Sequence, residues 1–374
     1  MEKDVFVVAD NVLSPIGKTT AENFDQLKKN VSGIKEQNNL AISPKPFFAS
    51  LFNKDDFHIE AGKTKFEQLL IGSIAGALQN SSIDPTDKKT VLIISSTKGN
   101  IGLLETEKYN PDLKNRIALS TSARIVADHF GFINKPIIIS NACISGVMGI
   151  ITGMRLLRTG QYENAVITGA DVVSKFILSG FVSFQALSPQ VCKPFDRSRD
   201  GLNLGEGAAT IILSANKKHA GNIKALGGAV SNDANHISGP SRTGQELSFA
   251  IDQSLKEAGL AAKDIDFISA HGTATPYNDE MEANAINLSG LQSIPLNSLK
   301  GYYGHTLGAA GLIESIISIA SLQRGLVLPT PGFQEMGVTK PVNVIASPLK
   351  IQANTFLKTA SGFGGCNAAV VFGK

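Results

Sequence analysis

Short runs of β-branched residues alternate along this chain with segments of helical periodicity. The strand-like runs cover residues 91–96, 136–140, 165–170, 208–213, 265–270, 295–298 and 368–372. The amphipathic segments lie near residues 65–78, 147–157, 247–258 and 312–322. Continuous apolar strands separated by helices are typical of a sheet that helices cover on both faces. The pattern therefore predicts an α/β fold.

Two parts of the chain repeat the same local order of elements. Pro136 begins a predicted strand that leads into Cys143 and a helix rich in small residues, and Pro295 begins one that leads into His305 and a Gly/Ala-rich helix. The repetition indicates a duplicated fold, although α/β units also resemble one another by chance. A polar junction after residue 215 places the predicted halves at residues 1–215 and 216–374.

The composition favours an enzyme with a large interior. Of the 374 residues, 43% are hydrophobic and only 18% are charged, and the formal net charge is +3. A chain of this size buries a substantial core. So small a charge does not argue for nucleic-acid or membrane binding, and at most it permits a local basic patch for an acidic partner. We expect no nucleic-acid partner. The most apolar stretch, residues 308–328, is interrupted by Glu314, Gln323 and Arg324, so we expect no membrane span.

Cysteine usage favours a reducing compartment. The three cysteines, Cys143, Cys192 and Cys366, are widely spaced and odd in number, so neither a metal-ligand pair nor a disulfide framework is predicted. The apolar run within residues 1–10 is too short, and its surroundings too acidic, for a signal peptide. We therefore expect a cytoplasmic protein.

Cys143 is the strongest candidate nucleophile. It lies in Asn141-Ala142-Cys143-Ile144-Ser145-Gly146, between a buried strand and a helix. Unpaired N–H groups and the positive end of the dipole at a helix N-terminus favour the reactive thiolate. An isolated cysteine is more often a buried structural residue, which is our interpretation of Cys192 and Cys366.

Two histidines lie in glycine-flanked loops after predicted strands. His271 follows the strand at 265–270, and His305 lies in Lys300-Gly301-Tyr302-Tyr303-Gly304-His305. Strand ends are where open α/β sheets place their chemistry, so with Cys143 the pair favours a catalytic over a structural interpretation. If the substrate were a thioester, two imidazole N–H groups that converge on its carbonyl oxygen would stabilise the enolate formed from it. Lys300 is either an orienting partner or a surface lysine, and Glu314 either its buried partner or a solvent-facing residue.

A glycine-rich loop precedes the last strand. Ser361-Gly362-Phe363-Gly364-Gly365-Cys366-Asn367 could direct backbone N–H groups at an oxyanion. A phosphate loop is excluded, because no Gly-Lys-Ser/Thr follows and a strand comes next. Phe363 either closes an acyl pocket or belongs to the core.

Taken together, these segments resemble the β-ketoacyl-acyl-carrier-protein synthases of type I/II. Beside the motifs above, the resemblance includes residues 6–17, the Pro194-Phe195-Asp196 signature that runs to Ala208, and His271 to Pro276 with Asp279 and Glu282. It implies a thiolase-like fold, in which two similar α-β-α-β-α halves pack as one five-layered unit.

The resemblance also implies the residue roles. Cys143 becomes the acyl-accepting nucleophile, and Lys300, His271 and His305 complete the catalytic set. Phe363 becomes the gate and, with the Cys143 amide, an oxyanion donor. Glu314 and Gly364 have supporting roles.

The implied reaction is a decarboxylative Claisen condensation of an acyl thioester with malonyl-acyl-carrier protein. It requires no metal or other cofactor, and it serves fatty acid or polyketide/polyene elongation. The implied partners are acyl carrier protein, acyl and malonyl thioesters, and a second subunit, either a copy of this chain or a related one. The alternatives are a degradative thiolase, which would need Cys192 or Cys366 in the site, and a non-elongating partner that sets chain length.

Some positions depart from the family pattern. Ala274 stands where glycine or serine is common, Gly301-Tyr302-Tyr303 replaces a smaller hydroxyl-bearing stretch, and Cys366 replaces a common threonine. The chain is also compressed between residues 96 and 124. These departures leave acyl chain length and the subunit partner open.

Overall fold

The computed structural model describes residues 3–53, 55–234 and 239–374. Met1 and Glu2, part of the N-terminal segment considered above, lie outside the described residues. The strands are β1 Phe6–Leu13, β2 Lys35–Gln37, β3 Phe47–Ser50, β4 Thr90–Ser95, β5 Ile137–Ile139, β6 Asn164–Asp171, β7 Leu204–Gly205, β8 Gly207–Ser214, β9 Lys224–Asn232, β10 Phe267–Ser269, β11 Pro295–Asn297, β12 Leu326–Val327, β13 Asn343–Val344, β14 Leu349–Lys350, β15 Thr355–Gly362 and β16 Cys366–Gly373. The α-helices are α1 Thr20–Lys28, α2 Lys65–Gln79, α3 Leu103–Thr106, α4 Pro111–Ile117, α5 Leu119–Phe130, α6 Ser145–Arg158, α7 Lys175–Ser183, α8 Gln245–Ala258, α9 Pro276–Leu288, α10 Lys300–Tyr303 and α11 Ala310–Arg324.

One large sheet contains the same strand arrangement twice. Its order is β13-β11-β10-β15-β16-β9-β1-β8-β6-β4-β5. In the first half, β5-β4-β6 are parallel neighbours, and β8 and β1 continue the sheet antiparallel. In the second half, β11-β10-β15 are parallel, and β16 and β9 continue it in the same way. The pair Phe6 and Lys224 joins β1 to β9. The predicted duplication is therefore confirmed as a repeated topology.

Helices α6 and α11 lie between the two halves of the sheet. Helix α6 packs against β4 and β6 of the first half and against β9 and β16 of the second, while α11 contacts β8 and β15. Helix α2 covers the outer face of the first half, and α8 covers that of the second. The layers are thus α-β-α-β-α, as predicted for a thiolase-like fold.

Helix α11 explains the most apolar stretch of the sequence. Residues 310–322 of this helix are all buried, because it packs on both halves of the sheet and on α6. A helix that is apolar on every side belongs in a core. No helix in the described part of the chain is long and apolar enough to cross a membrane.

The predicted elements are confirmed to within a few residues at each end. The strand predicted at 91–96 is β4, and the helix predicted at 312–322 is the centre of α11. Strands β9 and β15 were not predicted. The boundary between residues 215 and 216 lies in the connection from β8 to β9, and the division into two domains stays a prediction.

Equivalent strand ends of the two halves meet at one edge of the fold. The turn with Cys143 follows β5, His271 follows β10, and the loop with His305 follows β11. The turn between β15 and β16 carries Phe363. Duplication therefore places the side chains of both halves around one site.

Candidate active site

Cys143 lies in a strained turn between β5 and α6. Ala142 has a left-handed backbone with φ of +44°, which is uncommon for a residue with a Cβ and typical of functional turns. The Ser145 hydroxyl holds the turn by accepting a hydrogen bond from the Asn141 N–H at 2.8 Å and donating one to the Ala142 carbonyl at 2.7 Å. Only Ile144 separates Cys143 from the first residue of α6, so the predicted position at the helix start is confirmed.

Burial keeps the Cys143 thiol protonated. The residue is 8% exposed. Its pKa is raised to about 12, mainly by desolvation and also by Cys366 and Asp171, although Lys300 and the Phe363 backbone N–H act to lower it. The expected preference for thiolate is therefore wrong for the resting site, because loss of solvation outweighs the helix end.

A lysine and a glutamate orient His271. Lys300 Nζ lies 3.4 Å from His271 Nδ1 and 2.6 Å from Glu314 Oε1, and all three side chains are buried. An ammonium group only donates hydrogen bonds, so we assign Nδ1 as the acceptor and place the imidazole proton on Nε2. Of the alternatives left by the sequence, Lys300 is an orienting partner and Glu314 is its buried ion pair.

His271 and His305 lie edge to face. Their ring centroids are 5.3 Å apart and the ring planes meet at 82°. Desolvation, followed by the positive charge of Lys300, holds the pKa of each imidazole well below its usual value. Both rings are therefore neutral near pH 7, and each keeps one N–H donor. His305 Nδ1 has no hydrogen-bond partner among the described residues.

The backbone around His305 requires a glycine. Gly304 has φ of +69° and ψ of −178°, a region that is almost restricted to glycine. A Cβ at this position would meet the carbonyl carbon of Leu204 at 2.7 Å. The close approach lets the His305 N–H donate to the Asn203 carbonyl at 2.6 Å, and the Gly205 N–H donate to the His305 carbonyl at 3.1 Å.

The Phe363 loop closes over the cysteine. The Phe363 backbone N–H donates toward the Cys143 sulfur, and its ring stacks on Phe181 with centroids 5.7 Å apart. A Cβ on Gly362 would meet the Cys143 nitrogen at 2.9 Å, so only glycine allows the loop to approach this closely. Gly364 has φ of +86° with open space around it. Phe363 is 38% exposed, so it is a lid residue rather than a core residue.

These side chains surround one cavity of about 370 Å³. Cys143, His271, His305, Phe363 and Gly364 all line it. Lys300 and Glu314 lie behind His271 and are not part of the lining. The sequence-predicted residues are thus brought together.

The other two cysteines lie elsewhere. Among the described residues that line the cavity, Cys143 is the only cysteine. Cys366 is buried behind the loop, with its thiol 3.7 Å from the Asn141 carbonyl oxygen and 3.5 Å from that of Phe363. Cys192 is fully buried. A second cysteine directed at substrate, as a degradative thiolase requires, is not found in the described part of the site.

Several buried charged groups support the site, and sequence reasoning gave them no role. Glu282 accepts hydrogen bonds from the N–H groups of His271 (2.8 Å) and Gly272 (2.7 Å). Asp279 accepts from the N–H groups of Phe195 and Thr273, at 2.7 and 2.8 Å. The Pro-Phe-Asp signature is therefore a scaffold that ties its loop to the His271 loop.

Asp171 likewise ties two segments together, on the side of the site that carries Cys143. Its carboxylate accepts hydrogen bonds from the Ser96 hydroxyl at 2.9 Å and the Gly308 N–H at 2.7 Å. It thereby joins the end of β4 to the loop after His305. Burial raises the pKa of this carboxyl group to about 6.

The fold and the arrangement of these side chains agree with a condensing enzyme. The family described as "Beta-ketoacyl synthase, N-terminal domain" matches residues 2–219, and "Beta-ketoacyl synthase, C-terminal domain" matches residues 223–334. The chain therefore belongs to the β-ketoacyl synthase family and is an acyltransferase of the condensing type.

Similar proteins cover the whole chain. It is 28% identical to 3-oxoacyl-[acyl-carrier-protein] synthase 2 of Vibrio harveyi, over 100% of this chain and 99% of that protein. It is 27% identical, with the same coverage, to a putative mitochondrial 3-oxoacyl-[acyl-carrier-protein] synthase of Schizosaccharomyces pombe. The structure of the ishigamide ketosynthase/chain length factor superposes with a TM-score of 0.90 at 24% identity, covering 100% of both chains.

Proposed function

We propose that this chain elongates an acyl thioester by decarboxylative condensation with a malonyl thioester, and that Cys143 carries the acyl group between the two half-reactions. The observation that supports this most is the convergence of Cys143, His271 and His305 on one cavity. One nucleophile and two neutral N–H donors are what such a reaction needs.

In the first half-reaction, the Cys143 sulfur attacks the carbonyl carbon of the acyl thioester. The tetrahedral oxyanion is held by the backbone N–H groups of Cys143 and Phe363. When it collapses, the bond to the carrier sulfur breaks, and the carrier leaves as a thiol with the proton that Cys143 lost. The product is an acyl-Cys143 thioester.

In the second half-reaction, a malonyl thioester enters the same cavity. The bond between its α-carbon and its carboxylate breaks, and carbon dioxide leaves. The electron pair forms an enolate whose oxygen accepts hydrogen bonds from His271 Nε2–H and from the His305 ring. The α-carbon then attacks the acyl carbonyl, the bond to the Cys143 sulfur breaks, and that sulfur takes a proton from solvent. The product is a β-ketoacyl thioester longer by one two-carbon unit.

The partners follow from the substrates. One solved structure of this fold is described as a ketosynthase in complex with its chain length factor, and another as an acyl-carrier protein in complex with its ketosynthase. We propose that this chain takes its thioesters from an acyl carrier protein and pairs either with itself or with a related chain. Three free cysteines support a cytoplasmic location, which cell fractionation would test.

The experiment is a reconstitution with acyl-carrier-protein thioesters. Wild-type protein is given an acyl and a malonyl thioester, and both carbon dioxide and β-ketoacyl product are measured. We expect product from the wild type, and we expect His271→Ala and His305→Ala each to lose decarboxylation. Undiminished carbon dioxide release from both variants would remove the enolate-stabilising role of the histidines. If the wild type forms acyl-Cys143 but never elongates it, the proposed reaction is wrong.

A further inference from the structure

A second buried lysine, Lys358, lies beside the site and has no part in the mechanism above. It is on β15 and is fully buried. Its Nζ lies 2.7 Å from Glu314 Oε2, while Lys300 Nζ lies 2.6 Å from Oε1 of the same carboxylate. Glu314 therefore bridges two lysines, one on each oxygen.

The remaining donors of Lys358 go to the strand end that carries His271. Its Nζ donates to the carbonyl oxygens of Ser269 and Ala270, each at 3.1 Å. The ammonium group thus donates hydrogen bonds to two backbone carbonyls and forms an ion pair with Glu314 Oε2. Lys358 thus connects the end of β10 to Glu314 on α11.

We propose that Lys358 is a second positioning residue of the condensation site, which holds Glu314 so that Lys300 stays on His271 and which supplies a buried positive charge beside both imidazoles. The proposal rests on the proposed function for its consequences in catalysis. Its structural part, the effect of Lys358 on the imidazoles, is measurable without any substrate.

The geometry explains why one lysine would not suffice. Without Lys358, Glu314 Oε2 would be a buried carboxylate oxygen with no cation, and a buried unpaired charge is costly. Lys300 Nζ would then be drawn to both oxygens and away from His271 Nδ1. With Lys358 in place, Lys300 needs only one oxygen and keeps its contact with the imidazole.

The charges around the histidines determine the direction of the effect. Beyond burial, the positive charges of Lys300 and Lys358 disfavour imidazolium at His271, and a proton on the neighbouring, neutral His305 would do the same. The negative groups of the cluster are Glu314, which pairs with the two lysines, and Glu282, which accepts the His271 N–H. The Tyr303 hydroxyl is buried without a hydrogen-bond partner among the described residues, and its pKa is raised by burial, then by Tyr302 and Glu314.

Removing the Lys358 charge should therefore make both histidines easier to protonate. A like charge nearby disfavours the charged form of a titratable group, and Lys358 acts in this direction on both imidazoles. The imidazoles must be neutral, because an imidazolium would be repelled by the neighbouring lysines. As the pH falls, a variant without the Lys358 charge would therefore lose activity at a higher pH than the wild type. The acid limb of the pH–activity profile therefore shifts to higher pH.

The test uses Lys358→Gln and Lys358→Met. Glutamine removes the charge but still donates to the carbonyls of Ser269 and Ala270, whereas methionine removes both. Lys65→Gln is the control, because Lys65 pairs with the buried Glu206 and is not among the charges that act on either imidazole. The readouts are the imidazole titrations by NMR of ¹³C-labelled histidine, and the pH profile of malonyl decarboxylation.

We expect both Lys358 variants to raise the imidazole titrations and the acid limb by about one pH unit or more, with Cys143 acylation at neutral pH unchanged and Lys65→Gln like the wild type. Unshifted titrations in a folded Lys358→Gln would overturn the proposal. If only Lys358→Met were impaired, the role would be hydrogen bonding alone, which also overturns it. A wild type that releases no carbon dioxide while the titrations shift would contradict the proposed function instead.

Discussion

Lys300 Nζ lies 3.4 Å from Nδ1 of His271, and this contact determines which imidazole nitrogen carries the proton. The lysine donates, so the proton is on Nε2, where it is free to serve a substrate oxygen. Glu314 fixes the lysine in turn. The buried Lys300–Glu314 ion pair thus determines that His271 presents an N–H donor to the cavity.

Substitution of Lys300 should separate the two half-reactions. In Lys300→Met, His271 loses its fixed tautomer, and we expect condensation to fall by about 10²-fold, as for loss of one oxyanion donor. Acyl transfer to Cys143 should change only a few-fold, because its oxyanion donors are backbone groups. Single-turnover acylation and malonyl decarboxylation, measured side by side, check this. Lys89→Met, which breaks an exposed ion pair with Glu163, is the control. Equal losses in both half-reactions would contradict the assignment.

The backbone at Gly304 provides a test of how His305 is placed. In Gly304→Ala, the new Cβ meets the carbonyl of Leu204, and the φ/ψ region itself costs about 1–3 kcal/mol. We expect a fall of about 2 kcal/mol or more in the free energy of unfolding and loss of decarboxylation. In Gly290→Ala, φ is +70° but no atom lies within 4 Å of the Cβ, so only the left-handed cost of about 1–2 kcal/mol remains. Urea denaturation of both variants measures the difference, and equal losses would exclude the clash.

The reactivity of Cys143 should reflect its burial. Its pKa is raised to about 12, so the thiolate fraction rises about tenfold with each pH unit below that value. We expect its alkylation by iodoacetamide to accelerate steadily between pH 6 and pH 10. Peptide mass spectrometry separates Cys143 from Cys366, whose pKa burial raises to about 11. A rate that levels off near pH 7 would show a thiolate in the resting site.

The aromatic stack on the lid should protect the acyl-enzyme from water. Phe181 on α7 supports the Phe363 ring, and such a pair contributes about 0.5–1.5 kcal/mol. We expect Phe181→Ala to increase hydrolysis of acyl-Cys143 by about 2- to 10-fold, because the lid opens more often. Phe176 on the same helix is 55% exposed, and Phe176→Ala should leave hydrolysis unchanged. Identical rates in the two variants would argue against a lid.

Sequence patterns predict the fold well where strands are apolar and helices are amphipathic. Strand β9 was missed because Gly227 and Gly228 interrupt its pattern, and the reason for Gly227 is tertiary: a Cβ there would meet the Ser254 carbonyl oxygen of α8 at 2.5 Å. Strand β15 was missed in part because Lys358 gives it a polar residue at a buried position. Neither close approach nor buried ion pairing is visible in local periodicity.

The site likewise has residues that local motifs predict and properties that depend on distant parts of the chain. Cys143, His271 and His305 were predicted because their motifs are local. The role of Glu282 was not predicted, since its acceptance of two backbone N–H groups depends on how α9 packs behind the His271 loop. The protonation state of Cys143 was predicted wrongly because burial by Phe363 and its loop comes from a distant part of the chain. Desolvation by residues that are distant in sequence cannot be predicted from a local motif.

The location of the acyl group tests most directly whether Cys143 is the nucleophile. Wild-type protein, Cys143→Ala, Cys366→Ala and Cys192→Ala are each incubated with an acyl-carrier-protein thioester and examined by intact-protein mass spectrometry. We expect a mass increase of one acyl group in the wild type and in the Cys366 and Cys192 variants, and none in Cys143→Ala. Acylation that persists in Cys143→Ala, or that disappears in Cys366→Ala while the protein remains folded, would contradict this expectation.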